Sequence, residues 1–405
     1  MASPLQEADD GRMMFLLFKP AVTTCMKYTP FISLMIFTLI FWGCNGYQTQ
    51  EEPVEKQIEV QFNPNIHTSH IIELFVWPGE YPTRPLVVEA QRYFEPFKNH
   101  RAIQLSDSLL QNEIFYFDEL TEILLYAEPF PASGFTHSLD HSPYADRETI
   151  ITEWVEALAT FYVDADVASF LEKHQSFYEG ARQEVLKNLP PDDFVQLIEA
   201  YYRESKLTYT IIPSPEMPTG GAYGYRGIGP YVYTPDGMHI YQVISASLPV
   251  EQDTLTGTYP VFGFDNKEFI LRNSYHEFGH AFVNTVLDTE PNLEAVNAYT
   301  HLFTPGLKEI MMKQNYGNWF DCIAEHLVRL GEIRLAERSG NAAWANELRA
   351  YHTDKLQFIF LPEFERKILE FEQDTSIQSF EAFIPELMMS LNPVTSDEVE
   401  TRIQR

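Results

Sequence analysis

Apolar residues recur at helical spacing over Val87–Phe97, Glu113–Tyr126 and Thr149–Tyr162, which predicts three helices. In the third, Ile150, Ile151, Trp154, Leu158 and Tyr162 share one face, the stripe a helix turns toward a core. Val167–Leu189 continues as another helix and stops at Pro190 and Pro191. Shorter apolar runs read as strands: His70–Trp77 (HIIELFVW), closed by Pro78 and Gly79, then Leu207–Pro213 and Ile240–Leu248. Beyond residue 270 the spacing predicts helices over about 271–287, 305–315, 318–338, 341–357 and 362–373. A mixed stretch followed by helices alone predicts an α+β fold, with residues 61–270 as the mixed part and 271–400 as a helical lobe.

Two polar stretches interrupt this pattern. Glu128–Arg147 reads as a loop, although His137, Asp140 and His141 crowd there in a way that imitates a metal cluster. In Pro213–Pro235 the glycines Gly220, Gly221, Gly224, Gly227 and Gly229 alternate with Tyr223, Tyr225 and Tyr231. With no Gly-Lys-Ser/Thr this is not a phosphate loop. It is either a turn-rich connection or a loop that lends tyrosines to a cleft.

The amino terminus reads as an address. Phe31–Gly43 (FISLMIFTLIFWG) follows Lys19 and Lys27 and is too short to cross a bilayer core, which takes about 20 residues, but fits a signal-peptide core. Glu7, Asp9 and Asp10 sit oddly ahead of it, and a start at Met26 gives the more usual arrangement. Cys44 after Gly43 resembles a lipobox cysteine, despite the bulk of Phe41 and Trp42. The expectation is therefore a signal peptide over 1–43, lipidation at Cys44, a Glu-rich solvated tether over 44–60, and a membrane-anchored lipoprotein of the cell envelope. Simple secretion and a retained anchor are the alternatives.

Composition narrows the partners. With 58 acidic and 28 basic side chains the formal charge is −30, the wrong sign for a phosphate-backbone binder, so nucleic acid is excluded as a partner. Only three cysteines occur, and processing at Cys44 leaves Cys322 without a partner in the chain, so no disulfide framework is expected.

The chemistry concentrates in Asn273–Asn284 (NSYHEFGHAFVN). Two histidines four residues apart on a helix, His276 and His280, stand one turn above each other and can reach one metal ion, with Glu277 beside them as a general base. Apart from Glu277 the stretch is uncharged, as expected of a buried helix, and Gly279 suggests close packing. Catalytic Zn2+ takes three protein ligands and keeps one position open. A histidine six residues beyond His280 would be a metzincin ligand, but Val286 stands there. Glu325, in Trp319–Arg329 (WFDCIAEHLVR), is the best third ligand; Glu294 and Glu309 are weaker rivals. Arg329 is placed to hold the Glu325 carboxylate, and Asp321 to accept the outer N–H of a ligating histidine. Alternatively, Asp321, Glu325 and Arg329 form a surface charge ladder. Tyr223, Tyr225, Tyr299, His301 and His326 are candidate donors to a developing oxyanion, and the Ile240–Ser247 strand is a candidate edge for an extended peptide.

These features, HEFGHAFVN, the Tyr/Gly loop, FYVDADVASFLEKHQSFYEG and AEHLVRLGEIRL, resemble a domain-of-unknown-function family of bacterial HExxH proteins, often lipoproteins, regarded as gluzincin-like metallopeptidases. The resemblance covers most of residues 60–395. It implies zinc on His276 and His280, Glu277 as base and a glutamate ligand on the later helix. Well-studied gluzincins place an acid four residues after that glutamate, where this chain has Arg329. The expected function is a zinc metallopeptidase acting on peptides or proteins outside the cytoplasm. The alternatives are a catalytically idle metal-binding lipoprotein that binds peptides or glycans, and a zinc hydrolase of non-peptide amides or esters.

Overall fold

A computed structural model describes residues 56–77, 84–217, 226–253 and 256–403. The signal segment, Met26, Cys44, Tyr223 and Tyr225 lie outside these residues. Five strands form one mixed sheet: β1 (Ile58–Val60), β2 (Thr208–Pro213), β3 (Gly227–Ile228), β4 (Tyr231–Thr234) and β5 (Gly237–Ile244). Strands β1, β2 and β5 run parallel in that order, with Tyr209 opposite Ile58 on one side and Ile240 on the other. Both β3 and β4 pair antiparallel with the far side of β5.

The sheet is the middle of three layers, and the alternation of side chains shows why. Tyr209 and Ile211 of β2, with Ile240 and Ile244 of β5, enter one apolar cluster, while Ile212 and Val243 enter the other. The second cluster is closed by helices Pro64–Val76, Pro85–Phe94, Arg101–Gln111, Phe117–Tyr126 and Glu148–Asp164. The first is closed mainly by the helices after residue 266, so the described residues are α+β with helices on both faces of a small sheet. Strands covered on both faces carry apolar residues in succession, which is why β2 reads as the unbroken run YTII.

Several sequence-based boundaries change. His70–Trp77, expected as a strand, belongs to the Pro64–Val76 helix; Asn63 caps it, its Oδ1 accepting from the N–H groups of Asn65 and Ile66 at 3.0 and 3.2 Å. Nearly every residue of that helix is buried, so it has no polar face to reveal the 3.6-residue period. Val167–Leu189 divides at His174 into helices Val167–Lys173 and Gln175–Lys187. The tether expected to residue 60 ends sooner: β1 belongs to the sheet, and Lys56 Nζ reaches Glu199 Oε1 at 2.8 Å. The Ile240–Ser247 region offers no free edge, because β5 is paired on both sides. The edge on that side is β3 with β4.

Candidate metal centre

Two long helices build the site. The motif helix, Lys267–Leu287, is capped by Asn266, whose Oδ1 accepts from Phe269 N at 3.1 Å. Its neighbour, Trp319–Arg338, is capped by Asn318 accepting from Asp321 N at 2.9 Å and is buried along most of its length. The one-turn spacing brings the rings of His276 and His280 to 4.8 Å between centroids, with their Nε2 atoms 3.3 Å apart. Glu325 faces them from the second helix: Oε1 lies 3.3 Å from His280 Nε2, and Oε2 lies 3.9 Å from His276 Nε2. Four ligands around zinc at about 2.0–2.1 Å would be separated by about 3.3–3.4 Å. Two of the three edges already have that length. The Glu277 carboxylate also belongs to the group, its ligand atom and those of the two histidines lying within 4.8 Å of one another.

Outer contacts aim the rings. His276 Nδ1 is 2.8 Å from Glu332 Oε1, which leaves its Nε2 lone pair for the centre. Glu332 stands two turns beyond Glu325 and is almost fully buried. Its carboxylate is held in turn by Arg329 Nη1 at 3.1 Å and His352 Nε2 at 3.1 Å. His280 Nδ1 faces Asn284 Oδ1 at 3.4 Å. Arg329 Nη2 lies 3.3 Å from Glu325 Oε2, the role anticipated for it, and so ties both carboxylates together.

The charges fit a cation. Burial would raise the Glu325 carboxyl, but His276, His280 and Arg329 hold it well below the usual carboxylate range. Burial alone would lower His280, yet the Glu325 carboxylate raises it to about 9. The pair thus favours positive charge on the imidazole beside an ionised carboxylate, the charge pattern a bound cation would also favour. Burial pushes Glu277 up, against the pull of His276 and His280, the direction that suits a proton carrier.

Glu277 is also covered from the sheet side. A Cβ at Gly227 would approach its Oε1 to 2.7 Å, and one at Gly229 would be driven into its backbone. At Gly229, one residue past β3, only glycine lets the chain come this close to the Glu277 backbone. Gly279 is not such a position: a Cβ there would meet Tyr202 and Val328 at an ordinary 3.5 Å. The tight contact is at Gly331 of the neighbouring helix, where a Cβ would collide with the Tyr202 hydroxyl.

Other anticipated residues take different roles. Asp321 pairs with the Asn318 side chain at 2.6 Å, and it is Glu332 that meets the outer nitrogen of His276 instead. The exposed Tyr299 hydroxyl donates to Asn392 at 2.8 Å, and His301 is exposed beside it. His326 is fully buried against Phe358 and Phe360, with Nδ1 2.6 Å from Cys322 O, and burial lowers it to about 4. None of these three is an oxyanion donor in this arrangement. Tyr316 was not singled out by the sequence, yet its hydroxyl lies against Glu325 and Arg329. Glu294 is exposed and Glu309 pairs with Lys313, so neither rivals Glu325. His137 tilts against His239, while Asp140 and His141 remain exposed.

No curated protein and no solved structure matches the chain. One family does, over residues 75–390, and it is described as a domain of unknown function (DUF4932). The chain belongs to that family.

Proposed function

We propose that the protein is a zinc-dependent peptidase of gluzincin type, lipid-anchored through Cys44 outside the cytoplasm, with His276, His280 and Glu325 as ligands and Glu277 as general base. The observation that carries this reading is the convergence of two imidazole nitrogens and one buried carboxylate, with two of the three separations at the length a tetrahedral zinc site would need. Bound there, zinc supplies Lewis acidity, which acidifies a water and polarises a scissile carbonyl. Glu277 takes the proton of that water on its carboxylate and passes it to the leaving amine. Its burial and raised affinity for a proton suit both halves of that task. Arg329 and Glu332 keep Glu325 and His276 aimed while this happens. Among the described residues no helix is long and apolar enough to cross a membrane.

The test is a peptide-library digest by residues 45–405, run with and without a chelator and repeated with Glu277→Gln. Cleavage that disappears with the chelator and in the variant, whose zinc content stays near one per chain, is the expected result. A Glu277→Gln protein that still cleaves contradicts the base assignment. A zinc-loaded wild type that cleaves nothing in the library favours the idle metal-binding alternative.

A further inference from the structure

Strand β3 must stay close to Glu277, yet it is two residues long; its own pairs with β5 are Gly227–Ile244 and Ile228–Val243, flanked by Ser245 N–H donating to Arg226 O and Tyr241 N–H donating to Pro230 O, both at 2.9 Å. Two pairs are a weak hold. A second hold lies on the opposite side of the sheet. Helix Pro64–Val76 carries His67, His70 and Glu73, all essentially inaccessible. His67 Nδ1 is 2.9 Å from Glu216 Oε2, and the other oxygen of Glu216 accepts from the Tyr178 hydroxyl. His70 Nδ1 is 2.6 Å from Ser214 Oγ. Ser214 and Glu216 follow β2 directly, at the start of the connection to β3.

Arg226 stands at the other end of that connection. Its guanidinium lies 4.0 Å from the centroid of Phe117, the ring on which His70 also stacks. It acts electrostatically on both His70 and Glu73. Its N–H donates to Ser245 Oγ at 2.7 Å, fixing the chain one residue before β3. Around these contacts His67 Nε2, His70 Nε2 and Glu73 Oε2 are buried with no hydrogen-bond partner, a standing cost that a purely apolar helix would avoid.

We propose that helix Pro64–Val76 sets the position of β3 over Glu277, through the His70–Ser214 and His67–Glu216 contacts at one end of the β2–β3 connection and Arg226 at the other. His67, His70, Ser214 and Glu216 are then positioning residues. Their effect on turnover rests on the peptidase reading above, but their effect on β3 does not.

Hydrogen exchange on the zinc-loaded protein separates the two. Ser214→Ala removes one hydroxyl and Glu216→Gln keeps the side-chain volume, so both fold more readily than a truncated histidine; Ser214→Thr is the conservative rescue. In the first two variants, exchange in peptides covering residues 226–232 rises about tenfold, while residues 276–284 and the zinc content stay as in wild type. Turnover falls about tenfold, in kcat rather than KM, and Ser214→Thr restores both readouts. Unchanged exchange at 226–232, or an equal rise throughout the chain, overturns the proposal. Faster exchange at β3 in a protein that cleaves no peptide leaves the positioning role standing and removes the peptidase reading.

Discussion

Glu332 carries more of the site than its distance from the motif suggests. A carboxylate that accepts from the outer nitrogen of a ligating histidine fixes its tautomer, and losing one costs about 10–100-fold in metal affinity. Glu332→Ala should therefore weaken zinc retention by about that factor, measured by competition with a chromogenic chelator. An unchanged affinity would mean the 2.8 Å contact to His276 does not aim the ring. The His276–His280 pair was legible because one-turn spacing on a helix brings two rings together, whereas the approach of Glu325 depends on how a second helix packs against the first. Glu332 was not: the acid whose spacing suggests a contact with a ligating histidine is Asp321, one turn before Glu325, and it instead binds its own helix cap. A titration prediction concerns Glu122, raised to about 8 by burial despite the hydrogen bonds it accepts from Tyr231 N–H and Tyr144. The unfolded carboxyl ionises near 4.5 and the folded one near 8, so the folded state binds the extra proton between those values. Stability from this group falls as pH rises through that window and is level above it. Glu122→Gln keeps an acceptor for Tyr231 and removes the penalty. Its melting temperature should exceed wild type by a margin that grows from pH 4.5 to 8 and then stays constant; a pH-independent margin would contradict the assignment.

Among elements, the packing of the motif helix against Trp319–Arg338 decides whether Glu325 meets the histidines. Tyr202 stands between them, with its hydroxyl against Gly331. Gly331→Ala should cost about 1–3 kcal/mol through overpacking and lower the melting temperature. Gly279→Ala should be neutral or stabilising, by up to about 1 kcal/mol, because it gains helix propensity and meets only ordinary contacts. Thermal denaturation of the pair checks this, and the reverse order of stabilities would refute the packing described. The sequence pointed to Gly279 because a glycine inside a helix is visible in one dimension; which glycine is crowded depends on Tyr202, which arrives from the Phe194–Tyr202 helix. The same reason hid the Pro64–Val76 helix. Amphipathic elements such as Glu148–Asp164 show their period, whereas one buried on nearly all sides shows only an apolar run.

For the molecule as a whole, the sheet separates two apolar clusters and lies between the candidate metal centre and the polar cluster of helix Pro64–Val76. The α+β class was legible from the order of strands and helices. The layering was not, because β1 contributes three residues and β3 two, below the length at which alternation can be read. The formal charge of −30 says nothing of where a cation would be held. That location is the central claim, and zinc quantification on purified residues 45–405, after removal of loosely bound metal, tests it most directly. Wild type and Glu277→Gln should each retain close to one zinc per chain, and His276→Ala and Glu325→Ala should retain little. A wild-type protein that takes up no zinc, or a Glu325→Ala protein that holds as much as wild type, would contradict the account.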